Sequence, residues 1–142
     1  MTDKITVTSG WKARSLVQEL KPFRNNSTSG HGPKNSSLWG EYQTYPDGDA
    51  VYVVYSYRRS WHLYANWKGI WFANEDKFSR TTTKHSSQAH PLTTVVHVSK
   101  IDLEYLILFG KPDDSALVKA AQLNLLPDEL MPLAVKARIG GK

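Results

Sequence analysis

Apolar and polar positions alternate most clearly in the middle of the chain. LWGEYQTY (38–45) and AVYVVYSY (50–57) flank Pro46-Asp47-Gly48-Asp49, a turn in which Pro presets φ and Gly supplies a positive φ. In the second run Val51, Val53, Tyr55 and Tyr57 fall on one face, with Tyr52, Val54 and Ser56 on the other. Trp61 to Trp67 alternates again, predicting Trp61, Leu63, Ala65 and Trp67 inward and His62, Tyr64 and Asn66 outward. Lys68-Gly69 then turns the chain tightly into Ile70-Trp71-Phe72-Ala73, and TTVVHVS (93–99) reads as a further strand. The spacing predicts an antiparallel meander of four to five strands.

Helical spacing marks the two ends. Trp11, Leu16, Val17 and Leu20 form an apolar stripe that Thr8 or Ser9 caps and Pro22 stops. The run from Arg24 to Ser37 holds no large apolar residue, and its Gly, Asn, Ser and Pro content predicts a long flexible loop. After Ser99, a natural N-cap, the period lengthens. Ile101–Phe109 is predicted helical with Asp102 and Glu104 in its first turn, and Gly110 and Pro112 end it. A second helix starts at Asp114 or Ser115, and a third opens at Pro127 carrying Leu130, Leu133, Ala134 and Ala137. The expected architecture is one α+β domain over residues 1–142, with a loop at 24–37, a β-rich core at 38–99 and a helical part at 100–139. Its two to three C-terminal helices are expected on one face of the sheet, beside a short N-terminal helix.

Composition supports a folded domain. The chain has 142 residues, 40% hydrophobic and 22% charged, with five Trp, seven Tyr and four Phe. That suffices for one core. It has no cysteine, so disulfides and thiolate chemistry are excluded. The N-terminus lacks the apolar segment of a signal peptide, and no apolar run reaches the ~18 residues of a membrane helix. A soluble protein of the cytoplasm with no membrane partner is expected. Charge is uneven within the net +5. Residues 58–90 carry six cations and two acids, whereas residues from 91 onward carry six of each. Such a basic segment favours polyanions or acidic protein surfaces through long-range attraction.

The candidate chemistry sits in that segment. KFSRTTTKHSSQAHP (77–91) combines hydroxyls, cations and a glutamine, the groups that bind phosphate, although Ser and Thr also tie up their own loop backbone. Asn74-x-Asp76-Lys77-Phe78-Ser79-x-Thr81-Thr82-Thr83-x-His85-x-Ser87-Gln88, after Ser56-Tyr57-x-x-x-Trp61-x-Leu63, resembles a family of small uncharacterised proteins of bacteriophages and mobile elements. Their pattern runs Ser-Tyr-Gly-x-His-Trp-Pro-Leu and then Asn-x-Asp-Lys-Tyr-Ser-x-Thr-Thr-Ser-x-His-x-Ser-Gln. The likeness covers roughly residues 50–91 and implies that the second block is an ordered element, structural or functional. Arg58-Arg59 replace the family's small turn, Ser60 its histidine and His62 its proline, so no role of that first histidine carries over.

The expected function is a non-enzymatic, phage-type accessory protein that binds nucleic acid or a nucleic-acid-handling host complex. Its binding residues are expected to be Tyr57, Arg58, Arg59, His62, Lys77, Arg80, Thr82, Lys84, His85 and Gln88. Tyr52, Tyr64, His62 and Asn66 on an open sheet face, beside these cations and Lys68, would supply stacking. One alternative is an inhibitor of a host enzyme or defence complex, of anti-CRISPR or polymerase-inhibitor type, docking on an acidic host surface. The other is a metal-free ribonuclease using His62 and His85 with Lys77 or Lys84 and Tyr57. No cofactor, metal site or catalytic set is expected: His85 and His90 lack a second ligand pair and Gly-x-Ser-x-Gly is absent. Leu125, Leu126, Leu130, Met131 and Leu133 are expected as core, with a homodimer contact as the alternative.

Overall fold

The computed structural model describes residues 6–8, 13–25, 38–46, 50–56, 61–76 and 89–140. Seven strands form one sheet in sequence order: β1 (Thr6–Thr8), β2 (Phe23–Asn25), β3 (Leu38–Thr44), β4 (Ala50–Ser56), β5 (Trp61–Trp67), β6 (Ile70–Asn74) and β7 (Val96–Val98). Strands β2 to β6 are antiparallel neighbours, and β1 and β7 add to the two edges in parallel. The helices are α1 (Ala13–Gln18), α2 (Lys100–Phe109), α3 (Asp114–Gln122) and α4 (Met131–Gly140), with one 3-10 turn at Asp128–Leu130. The fold is α+β, with the expected meander at its centre.

Three local expectations hold with their physical causes. Ser99 caps α2 by accepting from the Asp102 N–H at 3.2 Å. Gly110 ends the helix at φ 75°, its N–H bonded to the Leu106 carbonyl, in the left-handed region that costs glycine least. Lys68 and Gly69 turn β5 into β6 with φ of 51° and 84°, the primed geometry that suits a right-twisted hairpin. The hairpin tip at 47–49 lies outside the described residues.

Four expectations are corrected. The loop predicted over 24–37 begins later, because Arg24 and Asn25 pair with Trp39 and Leu38 in β2. The crossover from β1 to its parallel neighbour β2 runs through α1, as parallel pairing requires a long connection. Helix α1 also stops before Pro22: Leu20 takes φ 57°, and the Leu20 and Lys21 N–H groups close back on the carbonyls of Val17 and Leu16.

The third correction concerns the faces. Both sides of the sheet are covered. Val51, Val53, Tyr55, Ala65, Trp67, Phe72, Val96 and Val98 pack under α2, α3 and α4 with Leu103, Leu106, Leu117 and Ala120. On the opposite side Phe23, Leu38, Tyr52, Val54, Leu63, Tyr64, Trp71 and Ala73 pack with Val17 of α1 and with Ala89 and Val95 of the segment leading to β7. Unbroken apolar runs such as Val51–Tyr55 and Ile70–Ala73 are the mark of strands buried on both sides.

The fourth is a bulge. Tyr55 pairs with His62 but Val54 with Tyr64, so Leu63 is the extra residue in β5. Leu63 and Tyr64 both join the α1-side core, while Ala65 and Trp67 join the other. The alternation read from sequence therefore breaks at Leu63, and His62 lies opposite Tyr55 on the side of α2.

Candidate binding surface

The open stacking face expected from sequence does not exist. Tyr52 is 1% exposed, and Tyr64 and Asn66 are buried. Each has a structural task. The Tyr52 hydroxyl donates to the Lys21 carbonyl at 2.7 Å, and the Tyr42 hydroxyl donates to the Leu20 carbonyl at the same distance. Together they tie the turn that follows α1, Leu20–Lys21, to the sheet. Burial drives the Tyr52 pKa far up, with Tyr42 adding to it. Edge-to-face contacts link Tyr42 to Tyr52, Tyr52 to Trp71, Trp71 to Tyr64 and Tyr64 to His90. Gln18 Nε2 reaches the Pro91 carbonyl at 3.3 Å, joining α1 to the 89–95 segment. Tyr52, Tyr64 and Trp71 are thereby closed off from nucleobases, and Tyr42 stands exposed at the margin.

Nine of the ten expected binding residues (Tyr57, Arg58, Arg59, Lys77, Arg80, Thr82, Lys84, His85 and Gln88) lie outside the described residues. The tenth, His62, is half-buried. Its ring tilts against Tyr55 at 5.0 Å between centroids, and the Tyr55 hydroxyl accepts from Gln43 Nε2. Burial lowers the His62 pKa below 6.5; Glu104 opposes that and Lys100 adds to it. Burial thus favours the neutral imidazole over the cation. It is partly packed against a tyrosine, and not the solvated base expected from sequence.

The residues flanking the two undescribed polar segments share one end of the sheet. Ser56 and Trp61, which bound 57–60, are paired partners in β4 and β5. Lys100 Nζ lies over the Trp61 ring at 5.4 Å and 3.3 Å from Glu104 Oε1. Asp76, the last residue before 77–88, accepts from the Lys100 N–H through Oδ2 at 3.0 Å. Asp76 thus adds a carboxylate to the first turn of α2, where the helix dipole favours it. Asn74 holds the corner: its Nδ2 donates to the His62 carbonyl at 3.0 Å, and its Oδ1 accepts from the Asp76 N–H at 2.8 Å. Lys100 is thus the residue that touches both flanks. Nothing in its sequence context marks it out, because the contact depends on β5, β6 and α2 meeting in space. Lys68, the other expected neighbour of the stacking face, lies at the far end of β5 beside the Trp67 ring.

Among the described residues, no group of three or more His, Cys, Asp or Glu side chains is placed to hold a metal ion. None of the described helices is long and apolar enough to cross a membrane. Leu126 is buried, and Leu125, Leu130 and Met131 pack against the α2–α4 core, so most of the C-terminal leucine stripe is interior. Comparison of the chain with family models, curated proteins and solved structures finds no match.

Proposed function

We propose that this protein is a non-enzymatic, phage-type accessory protein that engages nucleic acid, or a complex that handles it, at the end of the sheet where α2 begins. One observation carries the reading. Trp61 and Asp76, which flank 57–60 and 77–88, two segments that carry cations and no acidic residue in sequence, both contact Lys100. The segments that carry Arg58, Arg59, Lys77, Arg80 and Lys84 in sequence are each bounded by a residue in contact with Lys100. A cluster of this kind suits a phosphate backbone, which rewards several weakly placed cations more than one well-placed group. With Tyr52, Tyr64 and Trp71 closed off, base stacking has no part in the proposal, and little sequence preference is expected.

The test is equilibrium binding of labelled single- and double-stranded DNA and RNA across a salt series. Affinity should fall with rising salt, with a log–log slope of about −3 to −5 if four or five phosphates are contacted. Arg58→Ala/Arg59→Ala should flatten that slope by about 2. Absence of binding at low ionic strength sinks the direct nucleic-acid form. Retention of one stoichiometric protein from nuclease-treated bacterial lysate, abolished by the same double substitution, would instead assign the surface to a host protein.

A further inference from the structure

Arg14, His90 and His97 converge on the α1 side of the sheet, the side opposite α2. The strand register places Tyr64, Ala73 and His97 in one row across β5, β6 and β7. Val96 and Val98 belong to the α2-side core, so His97 between them projects to the other face, where Tyr64 and Ala73 lie. The His90 ring meets the Tyr64 ring edge-on at 5.9 Å. Helix α1 covers the same ground, with Val17 in one core with Ala89 and Val95. Gln18 Nε2 holds the Pro91 carbonyl at 3.3 Å, and Arg14 stands one turn before Gln18 on the same helix face. Burial lowers the His90 pKa, and the charges of Arg14 and then His97 lower it further. Among the described residues, the charges that act on His90 are thus cationic. Glu19, just past the end of α1, is paired with Lys21 at 2.9 Å.

We propose that Arg14, His90 and His97 form a binding site for a phosphate group. The tautomer of His90 selects an anion over a metal ion. Its Nδ1 accepts from the Leu92 N–H at 2.9 Å, so the neutral ring carries its proton on Nε2, which is then a donor with no lone pair for a metal. Leu92 takes φ 56° in making this bond, a left-handed backbone that leucine adopts only where its surroundings hold it. The lowered pKa agrees, because a protonated Nδ1 would face the Leu92 N–H donor to donor. Each group then has a part. The Arg14 guanidinium is always charged and its planar fork grips two phosphate oxygens at once. The His90 Nε2–H gives one directed bond to a third oxygen, and His97, exposed on β7, closes the site from the sheet edge. The phosphate comes either as the free ion or from the end of a nucleic acid, and the chemistry that holds it is the same.

The test follows the His90 and His97 ring signals by NMR at pH 7 as sodium phosphate is added, with sodium chloride of matched ionic strength as the reference. Both rings should shift along one saturating curve with a dissociation constant on the order of 1 mM, and chloride should not reproduce it. Arg14→Gln should weaken binding about tenfold. His90→Gln keeps an N–H donor and should bind within about threefold of the native chain, whereas His90→Phe keeps a ring against Tyr64 without a donor and should lose about tenfold. His97→Gln, at an exposed position, should weaken binding with the melting temperature unchanged, whether or not the chain tolerates replacement of Arg14. A drift that does not saturate by ~50 mM overturns the proposal. So does an equal shift in chloride, equal loss in the two His90 variants, or undiminished binding in both Arg14→Gln and His97→Gln. Displacement of phosphate by a 5′-phosphorylated oligonucleotide, and not by its unphosphorylated form, assigns the site to a nucleic-acid end; displacement by neither assigns it to the free ion. The phosphate titration itself does not depend on the salt-sensitive nucleic-acid binding proposed above.

Discussion

At the scale of single residues, several side chains that look functional in sequence are structural in space. Tyr52 is the clearest case: its ring is in the core and its hydroxyl holds the turn after α1. His62 is another, its neutral form favoured by burial beside Tyr55. Gly40 shows the reverse, a residue the sequence reading passes over and the packing requires. A Cβ there would collide with the Phe23 ring and with the Tyr52 hydroxyl. Gly40→Ala should therefore cost about 1–3 kcal/mol by overpacking, read as a lower denaturation midpoint in urea with an unchanged slope. A neutral result would mean that Phe23 moves aside freely. What was legible here were the side-chain types; their roles depend on which neighbour each meets across the sheet.

At the scale of elements, the caps were readable and their coupling was not. Asp113 caps α3 by accepting from the Ala116 N–H at 2.9 Å. Its carboxyl is also raised to about 6 by burial and by a hydrogen bond with Asp102, with Asp114 adding to the effect. Asp102 sits in the first turn of α2, so the start of that helix helps to hold the proton on the cap of α3. A folded-state pKa above the unfolded value means that the native state holds the proton more tightly. The stabilisation is complete below the unfolded value of 3.8 and is lost as pH rises through about 6. Asp113→Asn keeps the cap and removes the titration. Relative to the native chain, this variant should gain about 1 kcal/mol between pH 4 and pH 7, after allowing for solvent screening. Parallel pH profiles in thermal melts would refute the raised Asp113 pKa. The exposed apolar side of α2 (Ile101, Leu108 and Phe109) belongs to this scale too, because the spacing predicted a helix over Ile101–Phe109 but not which of its residues the packing would leave outside.

At the scale of the whole molecule, one sheet serves two cores. Tyr52 and Val54 point to the α1 side, and Val51, Val53 and Tyr55 to the side of α2, α3 and α4. Neighbouring residues on one strand thus anchor both layers, and neither layer can leave without exposing the other side of the same strands. Calorimetry should accordingly show a single transition. Leu103→Ala on one side, at about 2–4 kcal/mol, and Val17→Ala on the other should each shift it without splitting it. Two resolved transitions in either variant would show the layers to be independent. The continuous apolar runs of β4 and β6 already signalled burial on both faces. Strict alternation in β3 and β5 suggested otherwise, since LWGEYQT and WHLYANW look half-polar. The polar members are absorbed by the bulge, the aromatic layer and the half-buried positions of β3.

The sequence alone determined the meander, the caps at Ser99 and Gly110, the Lys68-Gly69 turn and the location of the basic, hydroxyl-rich segments. Those features depend on residues a few positions apart, where sterics and local hydrogen bonds decide. Only the tertiary structure decided that both faces of the sheet are closed, that Leu63 shifts the phase of β5, that β1 and β2 extend the sheet and β7 joins it in parallel, and that Lys100 joins the flanks of two distant segments. These depend on contacts between elements far apart in the chain, and no local spacing encodes which buried surface a strand or helix will meet.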